Sequence, residues 1–375
     1  MKTIKICIVS LYAYQYFNPA SLSRAGGAEL QLHNMAVELA KDRRFEIEFI
    51  VGDFGQPDFE IRKGIKLYKF FNPKKNLKYL RAVLGFVKLW RQVKKINADI
   101  YIQRTAGLET GEVALFCKLN HKKFIYMTAH DEDVIGTKPS WMQGGLVGFV
   151  RWRLFKLGLK IADLIIVQHE SQKEVLKEVY GKDGIIRQSA HYIPESIPLN
   201  KDFILWVARG EDWKQPFLFI ELVKFFPGEK FVMICPPTND FKFFNEIKGK
   251  AMGLPNLEFI EFLPSDKFDS YFLNAKIYVN TSKSEGFPNT FIQALKGKTP
   301  VLSLNVNPNG MLEKYGIGRC ANGDFEKLKN DLKEILGDKE LLHVMAEKAY
   351  AYAKENHDIM KIIEDDKKLI LNLEK

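Results

Sequence analysis

The stretch "SKSEGFPNTFIQAL", residues 282–295, places one carboxylate, Glu285, in a Gly-Pro loop that opens a helix. Residues 277–280 before it read as a strand, so Glu285 stands where a strand's carboxyl end gives way to a helix start. A carboxylate there can accept hydrogen bonds from a sugar diol. The amides after Gly286, those of Phe287, Asn289 and Thr290, face the same space, whereas Pro288 has no N–H to offer. Asn289 and Gln293 are i,i+4 neighbours on a polar stripe, while Phe291, Ile292 and Leu295 form the inward face. The plain alternative is a capped loop, an amphipathic helix and a solvent-facing Gln293.

Three further stretches carry chemistry of the same kind. In "LWVARGEDWKQP" (205–216), Arg209 ends a strand and Lys214 follows at the next helix start. Two fixed cations suit a diphosphate, Arg forking across two oxygens and Lys acting as a point charge; alternatively, Arg209 pairs with Glu211 or Asp212. In "SRAGGAELQLHNMAVELA" (23–40), Gly26 and Gly27 let a phosphate oxygen approach the backbone just before a helix, or make a tight turn. In "MTAHDEDVIG" (127–136), His130 sits at a strand's carboxyl end, where imidazole can donate or accept. Asp131 and Asp133 form a D-x-D pair that reads as a solvated turn or cap in preference to a metal site.

These residues need a scaffold that brings strand ends together. The 375-residue chain fits two domains, and its composition, 46% hydrophobic and 27% charged, is that of a folded protein. Strand-like runs alternate with helical ones to about residue 190, and the alternation restarts near 203 after a proline-containing linker, 191–202. This predicts two tandem α/β units, each a doubly wound parallel sheet, whose ligands bind beyond the carboxyl ends of the strands. The expected boundaries are 1–195, 196–355 and a final helix over 356–375 that packs back on the first domain, with Ile359, Ile362, Ile363, Leu369 and Leu373 at loosely helical spacing.

The net charge of +10 is concentrated. From Arg62 to Arg104 there are 13 Lys or Arg against Asp99 alone, interleaved with Phe70, Phe71, Tyr79, Phe86 and Trp90. An anionic membrane surface, a phosphorylated lipid or nucleic acid would fit such a segment, as would a solvated helix face. A second basic stretch, 145–162, is apolar nearly all round and reads as a core helix. The four cysteines are too scattered for a disulfide framework or a metal cluster, which points to a reduced cytoplasm. The first apolar run, 4–12, reads as a strand and not a signal peptide, and no run reaches the roughly 20 apolar residues of a spanning helix.

Taken together, "GGAELQLHNMAVELA", "AHD" (129–131), Arg209 with Lys214, and "SEGFPNTFIQALKGKTPVL" (284–302) resemble the retaining glycosyltransferases of family 4. The matches lie in order along nearly the whole chain. The resemblance implies the GT-B fold, two Rossmann-like domains facing a central cleft, with an N-terminal acceptor-binding and a C-terminal nucleotide-sugar-binding domain. It implies transfer of a sugar from a nucleotide-diphosphate sugar, without a metal or other cofactor, to a cell-surface glycan or lipid-linked acceptor, as in polysaccharide biosynthesis. By the same resemblance, Gly26 and Gly27 contact the diphosphate or reacting sugar, His130 approaches the sugar, Arg209 and Lys214 hold the diphosphate, Glu285 takes sugar hydroxyls, and the amides after Gly286 cradle phosphate. Gln293 stands where the family's E-x7-E motif has its second, ribose-holding glutamate, and Lys298 where it has a glycine, with Gly297 displaced by one. Gln293→Glu is therefore expected to preserve or improve donor binding. The expected setting is the cytoplasmic face of a membrane, reached through residues 62–104, with no nucleic acid partner. A sugar-nucleotide epimerase and a non-catalytic basic membrane- or nucleic-acid-binding module are the competing readings.

Overall fold

The computed structural model describes residues 3–21, 26–71, 80–135, 145–264 and 267–374. The chain divides into two compact units, Met1–Ala190 with Ile359–Lys375, and His191–Asp358. The crossing therefore falls at residue 190/191, a few residues before the expected boundary, and the return falls at 358/359, a few residues after it.

The first unit holds strands β1 (Ile4–Val9), β2 (Phe45–Val51), β3 (Phe59–Arg62), β4 (Ile65–Lys69), β5 (Ile100–Arg104), β6 (Lys123–Met127), β7 (Leu164–Val167) and β8 (Ile185–Ile186). They form one sheet in the order β3-β4-β2-β1-β5-β6-β7-β8, parallel throughout except for β3 against β4. Helices α1 (Tyr14–Phe17), α2 (Gly27–Leu39), α3 (Leu80–Ile96), α4 (Leu108–Leu119), α5 (Gly145–Ile161) and α6 (Glu170–Tyr180) connect them. Runs such as "IKICIV" and "FEIEFIV" are buried on both faces because helices cover both sides of the sheet, as a parallel sheet requires. Residues of α2 share one apolar cluster with Ile6, Ile8 and Phe49, and residues of α3, α4 and α5 share another with Cys7, Tyr101 and Tyr126. The hairpin β3–β4 was not legible in the sequence. Most of β3 is exposed, so it lacks a buried period, and its two-residue turn puts Lys63 and Gly64 at φ 52° and 77°, the left-handed pair that suits a right-twisted hairpin.

The second unit holds β9 (Phe203–Val207), β10 (Lys230–Ile234), β11 (Leu257–Ile260), β12 (Ala275–Asn280), β13 (Val301–Ser303) and β14 (Gly318–Cys320), all parallel, in the order β11-β10-β9-β12-β13-β14. Helices α7 (Pro216–Lys224), α8 (Phe241–Met252), α9 (Phe268–Asn274), α10 (Asn289–Leu295), α11 (Met311–Lys314), α12 (Phe325–Gly337) and α13 (Lys339–Asn356) follow in turn. Lys201, at the end of the linker, donates to the carbonyls of Leu273, Ala275 and Gly297 and to Thr299 Oγ1 at 2.6–2.9 Å, fastening the end of α10 to α9 and β12. Lys298 keeps a left-handed backbone, φ 55°, the conformation a glycine there would serve. Gly297 has a different duty: a Cβ on it would lie 3.0 Å from the Phe272 carbonyl. The displaced glycine does not replace the missing one.

The basic segment is not one surface. Arg62 pairs with Glu60, Lys66 with Glu46 and Lys69 with Asp58, while Arg104 is buried with its Nε donating to the Thr128 carbonyl. Phe86 and Trp90 stack on one another, and Trp90 packs on the core beneath α3. Residues 72–79, with Tyr79 and three of the lysines, lie outside the described residues. Exposed cations are left on α3, at Lys88, Arg91, Lys94 and Lys95. Helix α5 also departs from the core reading. Phe155 and Leu159 are buried, but Phe149, Val150 and Leu157 are exposed beside Arg153 and Lys160. Among the described residues no helix is long and apolar enough to cross a membrane.

The chain ends in α14 (Ile359–Glu374), which places Ile359, Ile363 and Ile370 in the cluster around α2. Asp366 faces inward with them and accepts from Arg187 Nε at 3.2 Å. Burial pushes its carboxyl up to about 6, and Arg187 opposes the shift. A carboxyl raised in the folded state binds more protons there than in the unfolded chain, so its contribution is complete below about pH 4 and is lost as pH rises through 6. Relative to Asp366→Asn, the wild type should gain stability, by up to about 3 kcal/mol, between pH 7 and pH 4. Urea melts of both proteins across that range would measure it; a constant difference would show that Asp366 does not titrate there.

Candidate active site

Strands β9 and β12 are neighbours in the second sheet, so the loops beyond their carboxyl ends meet. Glu285 sits at that meeting. Its Oε1 accepts from Asn280 Nδ2 at 3.0 Å, Ser282 Oγ at 2.6 Å and Lys214 Nζ at 2.9 Å. No hydrogen bond to its Oε2 is found among the described residues, and a carboxylate oxygen can accept more than one. Lys214 belongs to a 3-10 turn, Asp212–Lys214, after β9. The turn is tied to the Glu285 loop twice: Thr281 Oγ1 donates to the Lys214 carbonyl at 2.7 Å, and Lys283 N donates to the Trp213 carbonyl at 2.8 Å. Buried Trp206 in turn donates to Thr281 Oγ1 at 2.9 Å.

The electrostatics of this pair follow from its setting. Only 12% of the Lys214 side chain and 16% of the Glu285 side chain are exposed, so little water screens them. Burial pulls the Lys214 pKa down, and Glu285 opposes the shift. The ammonium also lies 3.8 Å over the Trp213 ring, a cation–π contact that steadies it without using its protons. Arg209 is more than half exposed and meets Glu211 at 3.6 Å, a loose pair that leaves its guanidinium donors for another anion.

The other donor-side positions are more constrained than the sequence implies. Gly286 and buried Phe287 continue the loop, and Phe287 packs on His357. Helix α10 begins at Asn289, whose Oδ1 lies 3.2 Å from His191 Nε2, with Thr290 next. Gln293 is half-buried and not turned to solvent: its Nε2 donates to Asp269 Oδ1, on α9, at 3.3 Å. Lys296 Nζ donates to Asp269 Oδ2 at 2.6 Å.

In the first unit, Gly26 precedes α2 and Gly27 is its first residue, beyond the end of β1. The Gly26 amide donates to Glu29 Oε2 at 2.8 Å, so one of the amides expected to face a phosphate closes a helix cap instead. His130 is exposed beyond β6, two strands from β1. The two acids that follow serve it separately. Asp133 is buried and accepts from the amides of Ala106, Ala129 and His130 at 3.1, 2.6 and 3.0 Å. Burial pushes its pKa up, and the amides oppose that. Asp131 accepts from His169 Nε2 at 2.8 Å and Gln172 Nε2 at 2.9 Å, with Ser171 Oγ donating to His169 Nδ1 at 2.7 Å. Burial works against the Asp131 charge, but these hydrogen bonds outweigh it and hold its pKa below the usual carboxylate value. The D-x-D pair is thus a loop anchor. Among the described residues no group of three His, Cys, Asp or Glu side chains is placed to hold a metal ion.

Comparison with known proteins agrees with the two α/β units described above. The family model described as Glycosyltransferase Family 4 matches residues 25–201, and that of Glycosyl transferases group 1 matches residues 190–352. An uncharacterized glycosyltransferase of Haemophilus influenzae is 22% identical over 363 residues, 93% of this chain and 98% of the relative. Sucrose-phosphate synthase of Thermosynechococcus elongatus has a similar structure, with a TM-score of 0.76 at 15% identity over 99% of both chains. A structure described as "Trehalose-6-phosphate from E. coli bound with UDP-2-fluoro glucose" gives 0.69 at 11% identity, again over 99% of both. The chain belongs to the glycosyltransferases, with the GT-B fold and of the family 4 type.

Sequence reasoning missed Asn280, Ser282, Thr281 and Trp206, which hold Glu285 and Lys214, and Asp269, which accepts from Gln293 and is itself held by Lys296. The polar "NTS" at the end of a strand pattern is the one local signal for the first group; Asp269 has none, because its partners lie on another helix. Asp133→Ala should leave three amides without an acceptor and lower stability by about 2–4 kcal/mol, while also releasing the His130 loop. Urea unfolding together with transferase assays would measure both effects. Wild-type stability in the variant would mean that the loop is not held by this carboxylate.

Proposed function

We propose that the protein moves a sugar from a nucleoside-diphosphate sugar to a glycan or lipid-linked acceptor, with retained anomeric configuration and no divalent metal. The observation that carries this reading is Glu285, fixed through Oε1 with Oε2 left over, beside the cations Lys214 and Arg209. In this reading Oε2 accepts from sugar hydroxyls. Lys214 and Arg209 face the diphosphate and stabilise the negative charge that grows on it as its bond to the anomeric carbon breaks. The acceptor oxygen bonds to that carbon from the same face, and its proton passes to an oxygen of the leaving phosphate, so no side-chain base is required. The amides of Gly286, Phe287, Asn289 and Thr290 contribute to holding sugar and phosphates. The similar structure described with UDP-2-fluoro glucose supports a nucleotide-sugar donor.

The acceptor is read from the first unit. Exposed Lys88, Arg91, Lys94 and Lys95 on α3, and the exposed apolar residues with Arg153 and Lys160 on α5, suit an anionic bilayer at the cytoplasmic face and an acceptor carried in it. Reversing the charge of Lys88, Arg91 and Lys94 to Glu should abolish co-flotation with anionic vesicles, each cation contributing about 1 kcal/mol. Unchanged flotation would separate the enzyme from the membrane.

A thermal-shift panel of nucleoside-diphosphate sugars tests the donor, since a ligand at about 100 times its dissociation constant stabilises the native state by about 2.7 kcal/mol. Arg209→Ala and Lys214→Ala should each weaken binding of the responding nucleotide sugar by about 1.5–3 kcal/mol in calorimetric titration. Unchanged affinity in both would remove them from the site. Product analysis after incubation without an acceptor distinguishes transfer from epimerisation, which alone would convert the nucleotide sugar into its isomer.

A further inference from the structure

We propose that Asp269, a residue of α9, supplies a carboxylate for the nucleoside ribose, acting with Gln293 of α10 as one recognition unit. This deepens the donor reading above and rests on it. Asp269 lies in the first turn of α9, beyond the carboxyl end of β11, and α10 begins beyond the carboxyl end of β12. Both helices therefore start on the side of the sheet where ligands of such folds bind. Its carboxylate is held from beneath. Lys296, 5% exposed, donates to Oδ2 at 2.6 Å, and Gln293 donates to Oδ1 at 3.3 Å. About half of the Asp269 side chain nevertheless remains exposed, 51%, so a buried cation and an amide orient an acid that still faces outward.

That arrangement is the chemistry of diol recognition. Each carboxylate oxygen can accept more than one hydrogen bond, so both can take a ribose hydroxyl in addition to their present donors. Gln293 gives one of its two amide N–H donors to Asp269, and its Oε1 can accept a further hydroxyl. Gln293 lies four residues into α10, about 6 Å along the axis from the helix start that follows Glu285. That displacement matches the step from the diphosphate of a nucleotide to its ribose. The negative charge has thereby moved from α10 to α9, and the earlier expectation for Gln293→Glu alone is revised: a carboxylate at 293 would stand against Asp269.

The experiment compares binding of UDP, GDP, ADP and dTDP to wild type, Asp269→Asn, Gln293→Glu and the double variant, by calorimetry. The nucleotide that binds is paired with its analogue lacking the ribose hydroxyls. Asp269→Asn should weaken the hydroxyl-bearing nucleotide about tenfold or more while leaving the deoxygenated analogue unchanged. Gln293→Glu alone should weaken binding through repulsion between like charges. The double variant Asp269→Asn/Gln293→Glu should recover most of the wild-type affinity, since it restores one carboxylate within reach of Lys296 and so also controls for folding. If Asp269→Asn alters both nucleotides equally, or neither, Asp269 is an α9–α10 clamp and the inference is overturned while the donor reading stands. If wild type binds none of the nucleotides, the donor reading fails and this inference falls with it.

Discussion

The Lys214–Glu285 pair organises the second unit's functional surface. It forms because β9 and β12 are adjacent parallel strands, so the turn after one and the loop after the other share a boundary. Neither group would be stable alone in so enclosed a place. Burial works against the Lys214 charge, and the Glu285 carboxylate opposes that effect. Together, and with Asn280, Ser282 and the Trp213 ring, they form a polar patch whose charges are already held in place by their neighbours.

The same principle recurs away from that patch. Asp133 is buried to hold three amides of the His130 loop, Asp269 is oriented by a buried lysine, and Asp366 ties the last helix to Arg187. Asp133 and Asp366 are acids placed where burial opposes their charge and specific donors oppose burial, whereas Asp269 stays half exposed. Loops at strand ends cannot be rigid through apolar packing alone, because their backbone groups need partners. Buried carboxylates supply those partners, which explains why acids that look solvated in sequence prove to be structural.

The alternation of strands and helices in both halves was legible because period and run length are local properties, and the ends of β9 and β12 could be located from it. The glycines, His130, Arg209, Lys214 and Glu285 could be singled out for the same reason: each stands where a strand pattern stops. What failed were statements about neighbours. The segment from Arg62 to Arg104 looked like one basic surface, yet β4 spends its lysines on Glu46 and Asp58, and β5 carries Arg104 into the interior. Helix α5, apolar nearly all round, packs on α4 yet leaves Phe149, Val150 and Leu157 exposed. The Gly26 amide, free in the sequence, is closed by Glu29.

By itself, the sequence determined two α/β units, the strand-end positions of the polar residues, and the loss of a carboxylate at 293. Tertiary structure alone decided that Glu285 answers to Lys214, that Gln293 answers to Asp269, and which cations remain exposed. The physical reason is that these choices depend on which strands lie side by side and which helices they carry. Strand order is set by packing over the whole sheet, so residues far apart in the chain meet at distances that no local pattern encodes.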